Sequence, residues 1–361
     1  MIEEILEEHR VSPGRYRPDM VMIHDGNYPL LKRYIDGKNI SFPADRIIAV
    51  ADHFSPPSKV RHAEYIRDFE AFVDEHGIRY HRFEGISHEL MFRYVEEGMF
   101  VVGLDSHSTA YGSSGALSIG SGAMDMADIL INGSIWLETP KTLKLRVESS
   151  LSGFDTGLHL IRHGYDGLWV EMEWDAGIEE RRAVATMMAD AGAVSALFTH
   201  PNESDRIIEA DGHLIAPPGD LRHPEPIDMY AGTEIDQVFI GSCMGGRLTD
   251  LRTAARILKE GIAKARLIIS PISMETYLNA MKDGTIEILR SAGAVILNPS
   301  CGTCAGIDKG MLAKDEKGVF TTTRNARGRH GGRVFSASPE VAALTALLGR
   351  IPLEEELHAY G

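Results

Sequence analysis

Three cysteines are all that the 361 residues contain, and their spacing is the strongest chemical signal in the chain. Cys301 and Cys304 form a Cys-x-x-Cys pair, while Cys243 stands alone upstream. A close pair plus a distant third thiol suggests one metal centre with three thiolate ligands. Taken alone, Cys-x-x-Cys also fits a redox dithiol, half a zinc site or plain packing. A zinc ribbon needs a fourth cysteine that the chain lacks, although a histidine can complete the tetrahedron. A dithiol leaves Cys243 unexplained. An iron–sulfur cluster normally takes four thiolates. With three, one iron keeps an open position for substrate oxygens, as open metal sites do.

Acid–base candidates come next. Asp52-His53 and Asp105-Ser106-His107 set carboxylates beside imidazoles, and His88 lies between them in sequence. A neighbouring carboxylate fixes a histidine's tautomer and raises its pKa, which suits proton delivery to a leaving hydroxyl. Any one such pair is also an ordinary loop or capping feature. The loop from Arg324 to Arg333 holds four arginines in ten residues of an acidic chain. That density implies an anion: forked guanidinium pairing would hold a dicarboxylate. Phosphate or RNA backbone is the competing partner, and solvated surface the bland alternative. The glycine-rich run from Gly112 to Gly122 lacks the Gly-Lys-Ser/Thr of a phosphate loop. It reads as close backbone packing.

These residues need elements to position them. Apolar runs predict strands at Met20–Ile23, Arg46–Val50, Ile78–Phe83, Met99–Val102, Val238–Ile240, Arg266–Ile269 and Ala294–Leu297. Helical spacing of Tyr65, Ile66, Phe69, Phe72 and Val73 predicts a helix ended by Gly77. Further helices are expected near 1–10, 124–130, 155–163, 178–191, 248–260, 275–291 and 339–348. Lys141–Val147 alternates like an antiparallel strand, and the proline- and glycine-containing stretch 200–228 reads as a linker. Strands alternating with helices predict α/β domains with largely parallel sheets. The expected division is three such domains: 1–136 with the Asp-His and Asp-Ser-His motifs, 137–230 ending in the linker, and 231–361 with the cysteines. Asp52-His53, His88, Asp105-Ser106-His107, Cys243 and Cys301 each follow a predicted strand's carboxyl end, the edge where open α/β sheets bind ligands.

The net charge of −15 disfavours nucleic acid or anionic membrane as a general partner. No window reaches the ~18 consecutive apolar residues of a membrane helix. The acidic start, Met1 to Glu8, lacks the features of a signal peptide. Three cysteines argue against a disulfide framework, so a reducing cytoplasm is expected.

Taken together, Val50-Ala51-Asp52-His53, Gly85-Ile86-Ser87-His88, Asp105-Ser106-His107 with its glycine-rich run, Val238–Cys243, Cys301-Gly302-Thr303-Cys304 and Gly328-Arg329 followed by Ser338-Pro339 carry a resemblance. The sequence resembles the aconitase superfamily, most of all the large subunits of 3-isopropylmalate dehydratase and homoaconitase, from about His24 to Arg350. The resemblance implies three α/β/α domains around a [4Fe-4S] cluster on Cys243, Cys301 and Cys304. It implies that Asp52 and His53 protonate a departing hydroxyl, and that His88 with Asp105 and His107 with Asp190 form charged pairs near the cluster. Ser106, Arg324 and Arg329 would bind the substrate, a small di- or tricarboxylate. A small-subunit partner would bring the swivelling domain and its catalytic serine. The implied activity is a hydro-lyase acting on a 2-hydroxy dicarboxylic acid, of the 3-isopropylmalate type in leucine biosynthesis. Homocitrate, citramalate and dimethylmalate are the alternative substrates, and a cluster-sensing RNA regulator or a zinc scaffold the alternative classes. Several positions depart from the family pattern: Met244-Gly245 replaces Thr-Asn, Asp190 replaces a glutamate, and Thr323 replaces an asparagine. The loop after Pro201 is also shorter than the family's.

Overall fold

The computed structural model describes residues 1–200, 203–307 and 309–360. Pro201 and Asn202, at the start of the expected linker, lie outside the described residues. Contacts divide the chain into two compact units. Unit 1 comprises residues 1–83, 87–148 and 165–209, and unit 2 comprises 84–86, 149–164 and 210–361.

Unit 1 contains a five-stranded parallel sheet of β1 (Met20–His24), β2 (Ile47–Ala51), β3 (Arg79–Arg82), β4 (Phe100–Gly103) and β5 (Leu117–Gly120). Its order is β3-β2-β1-β4-β5. β2 reads Ile-Ile-Ala-Val-Ala with every residue buried, the unbroken apolar run of a strand covered on both faces. Helix Val60–His76 buries Ile66, Phe69, Phe72 and Val73 and stops at Gly77, whose φ of 64° is the left-handed cap conformation. The chain fills β1, β2 and β3 to one side, then returns to place β4 and β5 on the other. The reversal falls between β1 and β4, which makes their carboxyl ends the crevice where such sheets bind ligands.

A second sheet in unit 1 holds β6 (Thr142–Ser149), β7 (Trp169–Glu173), β8 (Ser195–Phe198) and β9 (Arg206–Ala210), in the order β8-β7-β6-β9. Two expectations change here. β6 pairs with β7 in parallel, not antiparallel, so its alternating pattern records one wetter face rather than strand direction. The stretch taken as linker contributes β9 and two short strands, Leu214–Ile215 and Glu225–Pro226.

Unit 2 repeats the plan with β10 (Gln237–Ile240), β11 (Arg266–Ile269), β12 (Val295–Ile296), β13 (Lys317–Phe320) and β14 (Arg333–Ser336), all parallel, in the order β12-β11-β10-β13-β14. Its reversal falls between β10 and β13. The expected helix over 275–291 is two helices, Met274–Lys282 and Thr285–Ser291, broken at Gly284 with φ 83°. β13 and β14 flank the arginine loop and were not expected as strands. Among the described residues, no helix is long and apolar enough to cross a membrane.

The glycine-rich run is packing, as its pattern predicts. A Cβ on Gly112 would lie 1.8 Å from the Ala196 carbonyl oxygen, and one on Gly120 would lie 2.5 Å from that of Asp105. Backbone cannot retreat as a side-chain tip can, so Gly112→Ala should cost roughly 1–3 kcal/mol or more, the range for overpacking. Chemical denaturation of the variant against the parent measures it, and an unchanged midpoint would contradict the contact.

Candidate active site

Unit 1 gathers its acid–base residues at the β1/β4 crevice. β1 ends in His24, followed by Asp25, and the Asp25 carboxylate accepts the backbone N–H groups of Asp52 and His53 at 3.0 Å each and of Phe54 at 2.7 Å. This fixes the turn that leaves β2. Asp52 then accepts from His53 Nδ1 at 2.6 Å on one oxygen and from the Ser87 N–H at 2.7 Å on the other. Its carboxylate is buried, and burial favours the neutral acid. The charge and hydrogen bond of His53 outweigh that and hold Asp52 well below the usual carboxylate range. For His53, burial pulls down, but Asp52 and then Asp25 raise it to about 9. Asp25 moves the other way, pushed up by burial and by its neighbour Asp52.

The second half of the network starts at β4. Asp105 caps the 3-10 turn Ser106–Ser114 by accepting the His107 N–H at 2.8 Å, which is why Asp-Ser-His folds as it does. The same oxygen pairs with His88 Nε2 at 3.1 Å, and His107 Nε2 meets Asp190 at 3.0 Å. The shorter Asp190 side chain therefore reaches its histidine. Burial works against the Asp105 charge, yet hydrogen bonding and attraction from His88 hold its pKa well below normal. Ser106 is exposed on the turn.

His24 and Asp25 escaped the sequence reading. The available signal was position alone: His24-Asp25 follows β1 as Asp52-His53 follows β2. His24 stacks on His53 with ring centroids 4.2 Å apart, and its Nε2–H donates to the Leu104 carbonyl at 2.9 Å. Burial, then repulsion from His53, lowers its pKa to about 4, so it stays neutral. His24, Asp25, Asp52 and His53 bring ligand-type atoms within 4.8 Å of one another. Their carboxylate oxygens already accept the N–H donors named above. The cluster is thus a proton-holding network in which one imidazole is kept charged and its neighbour neutral.

Unit 2 carries the thiols, Cys243 after the central strand β10 and Cys301 and Cys304 after the edge strand β12. Cys243 follows β10 through Ser242, whose φ of 73° is rare for a side-chain residue. Such strain costs about 1–3 kcal/mol and persists only where surroundings enforce it. Here Ser242 Oγ donates to the Thr321 carbonyl at 2.7 Å, and Thr321 Oγ1 bonds both Gly241 N and O, at 2.8 and 2.9 Å. A Cβ on Gly245 would meet the Thr321 side chain at 2.5 Å, which accounts for glycine where the family has asparagine. Cys301 opens the short helix Gly302–Ala305, and Cys304 Sγ lies 2.8 Å from Thr322 Oγ1. None of the three cysteines is in a disulfide; Cys243 and Cys304 are buried and Cys301 partly so.

This donor set fits an iron–sulfur cluster. Three thiolates would each hold one iron of a cubane. The hydroxyls of Ser300 and Thr303, flanking Cys301, are buried without a hydrogen-bond partner in the protein, as polar atoms facing a bound group would be. The arginine loop follows β13. Arg324 is half-buried, its carbonyl bonded to His330 Nε2 at 2.8 Å. Arg329 is exposed and donates to the Ala305 carbonyl at 3.1 Å, tying the loop to the helix of Cys304.

Paired parallel sheets with polar crevices and a three-thiol set define an α/β protein with the aconitase fold. Thermococcus kodakaraensis aconitase X, in its holo-form, shares that fold over 90% of this chain and 89% of its own, with a TM-score of 0.58 at 13% identity. The model of the aconitase family (aconitate hydratase) matches residues 3–213 and 220–349. The large subunit 1 of 3-isopropylmalate dehydratase from Pyrococcus abyssi is 35% identical over 98% of both chains. The probable methanogen homoaconitase large subunit of Methanothermobacter thermautotrophicus is 32% identical over 99% of this chain and 97% of its own. The chain belongs to the aconitase family and is a hydro-lyase.

With His53 as the proton donor, loss of its proton would set a limit on activity. A general acid with a pKa near 9 works below that pH, so kcat/KM should fall as pH rises through about 9. Asp52→Asn removes the largest upward influence on His53. The alkaline limb should then move down by about one pH unit or more, with a rate loss of about 10²-fold or more at neutral pH. A pH–rate profile of the variant checks both; an unmoved alkaline limb would count against His53 as the acid.

Proposed function

We propose that this chain is the large subunit of an iron–sulfur hydro-lyase acting on a small 2-hydroxy dicarboxylic acid of the 3-isopropylmalate type. Removal and re-addition of water at the neighbouring carbon makes the net reaction an isomerisation, in leucine biosynthesis. Likeness across nearly the whole chain to 3-isopropylmalate dehydratase large subunits, 35% and 33% identical, carries the reading.

Each residue then takes a role. His53, kept charged by Asp52, donates the proton that lets the hydroxyl leave as water. His88 with Asp105, and His107 with Asp190, provide fixed charge pairs that orient the reactant. Ser106, Arg324 and Arg329 bind its carboxylates and hydroxyl, the guanidinium forks matching carboxylate geometry. Cys243, Cys301 and Cys304 hold a [4Fe-4S] cluster, which when bound supplies a Lewis-acidic iron for substrate oxygens. The carbon-bound proton leaves to a serine on a small-subunit partner, a role in keeping with the large-subunit names of the relatives. Three cysteines with no disulfide among them suit a reducing compartment such as the cytoplasm.

A second substrate reading, homocitrate, citramalate or dimethylmalate, is favoured by Met244-Gly245 and Thr323, which alter the surroundings of the thiols and arginines. Turnover of 3-isopropylmalate by the complex with its small subunit, compared with those three acids, separates the two. Preference for a smaller acid would overturn the first reading and leave the hydro-lyase class intact. Protein purified without air should be brown and contain iron and sulfide. Cys301→Ser and Cys304→Ser should each lose the colour along with turnover, and a colourless parent containing only zinc would end the cluster assignment.

A further inference from the structure

Unit 2 contains a cavity of about 650 Å³ that the proposed chemistry does not use. Its wall carries Lys314, Lys317, Arg327 and Arg333, with the aromatic rings of Tyr230 and Phe335, and no carboxylate. That balance is unusual for a chain with 52 acidic and 37 basic residues. Three acids close to its lining residues are engaged elsewhere. Glu316 is gripped in a fork by Arg266 at 2.7 and 2.5 Å, Asp236 accepts the Lys317 backbone N–H at 2.8 Å, and Glu225 accepts the Tyr230 hydroxyl at 2.6 Å. None of these four cations is paired with a carboxylate among the described residues; Lys317 is half-buried and the other three are exposed.

The arrangement is built, not incidental. Lys317 and Arg333 open the neighbouring strands β13 and β14 and are direct partners in their register. The stem of Arg327 lies over Gly219, where a Cβ would be 2.7 Å from its Cγ. Tyr230 and Phe335 meet edge to face at 5.3 Å and give the cavity an apolar floor. The volume falls within the ~300–1,000 Å³ usual for small-molecule sites.

We propose that this cavity binds an organic polyphosphate, a nucleoside diphosphate or triphosphate by its chemistry. The phosphates would lie between Lys317, Arg333, Lys314 and Arg327, where paired guanidinium and ammonium groups match several adjacent negative charges. The planar base would rest on the aromatic floor. The site touches the arginine loop from behind. Arg327 lies between Arg324 and Arg329 in sequence, and the lining residue Pro217 accepts the Asn325 side-chain N–H at 2.9 Å. An occupant therefore acts on the segment that carries the carboxylate-binding arginines, and the effect expected on turnover is in KM.

The test is direct binding, which needs no turnover and so stands or falls apart from the hydro-lyase reading. Isothermal titration of the anaerobically purified complex would use ADP, inorganic pyrophosphate, orthophosphate and malate. ADP should bind saturably at one site per large subunit, more tightly than orthophosphate and malate. Lys317→Glu with Arg333→Glu should weaken it by about tenfold or more, with an unchanged circular dichroism spectrum. Lys314→Ala with Arg333→Ala provides a milder pair should charge reversal disturb folding. Pyrophosphate matching ADP would assign recognition to the phosphate chain, and tighter ADP would add the base. No saturable ADP binding at millimolar concentration, binding indifferent to both variant pairs, or malate binding as tightly as ADP would each overturn the proposal.

Discussion

A buried carboxylate organises the acid–base half of this protein. Asp25 lies 3.8 Å from His53 Nδ1, and three successive backbone N–H groups, from Asp52, His53 and Phe54, converge on its two oxygens at shorter range. An unmade bond to a buried donor costs about 1–3 kcal/mol, so the turn and the carboxylate hold each other in place. With the turn fixed, Asp52 can reach both His53 and the Ser87 N–H, and His53 can lie flat against His24. The stack matters electrically. A neutral ring beside a charged one lets His53 keep its proton without a second positive charge in contact.

The two units solve the same positioning problem by one device. In each, five parallel strands double back about a central strand, and reactive groups leave from the carboxyl ends beside the reversal. In unit 1 those ends deliver His24, Asp25 and Asp105. In unit 2 they deliver Cys243 and the Thr321–Arg324 segment. Unit 2 adds strain: Ser242 adopts a left-handed backbone held by Thr321, which bonds the Ser242 hydroxyl and the backbone N–H and C=O of Gly241. Thr321 also bars a side chain at position 245, so the departure at Gly245 is a packing adjustment around the thiol turn.

Much of this was legible in the sequence, and the failures have physical causes. Strands covered on both faces, such as Ile47–Ala51 and the Val238–Ile240 part of β10, are continuous apolar runs and stand out. Asp52, His53, His88, Asp105, His107 and Asp190 were legible through motif and resemblance, and they come together in unit 1. β13 and β14 were hidden because short strands rich in Gly, Lys and Arg look like loop until their neighbours bury them. Gly284 splits a helix whose apolar spacing runs on across the break, so periodicity alone reports one element. His24 gives no composition signal at all. The register of β1 beside β2 brings its ring over His53, and the register beside β4 brings its Nε2 to Leu104.

The path of the chain has a consequence for its synthesis. It passes between the units five times, after Phe83, Ile86, Glu148, Gly164 and Glu209. Helix Gly153–Ile161 belongs to unit 2 and buries every one of its residues there, yet most of its partners lie beyond residue 210. At about 5–20 residues per second, the ribosome would take roughly 10–40 s to deliver the remaining ~200 residues. For that interval an apolar segment waits in the nascent chain with nothing to cover it. Unit 2 can close only once most of the chain has been made, and no cut at a single linker can release either unit whole.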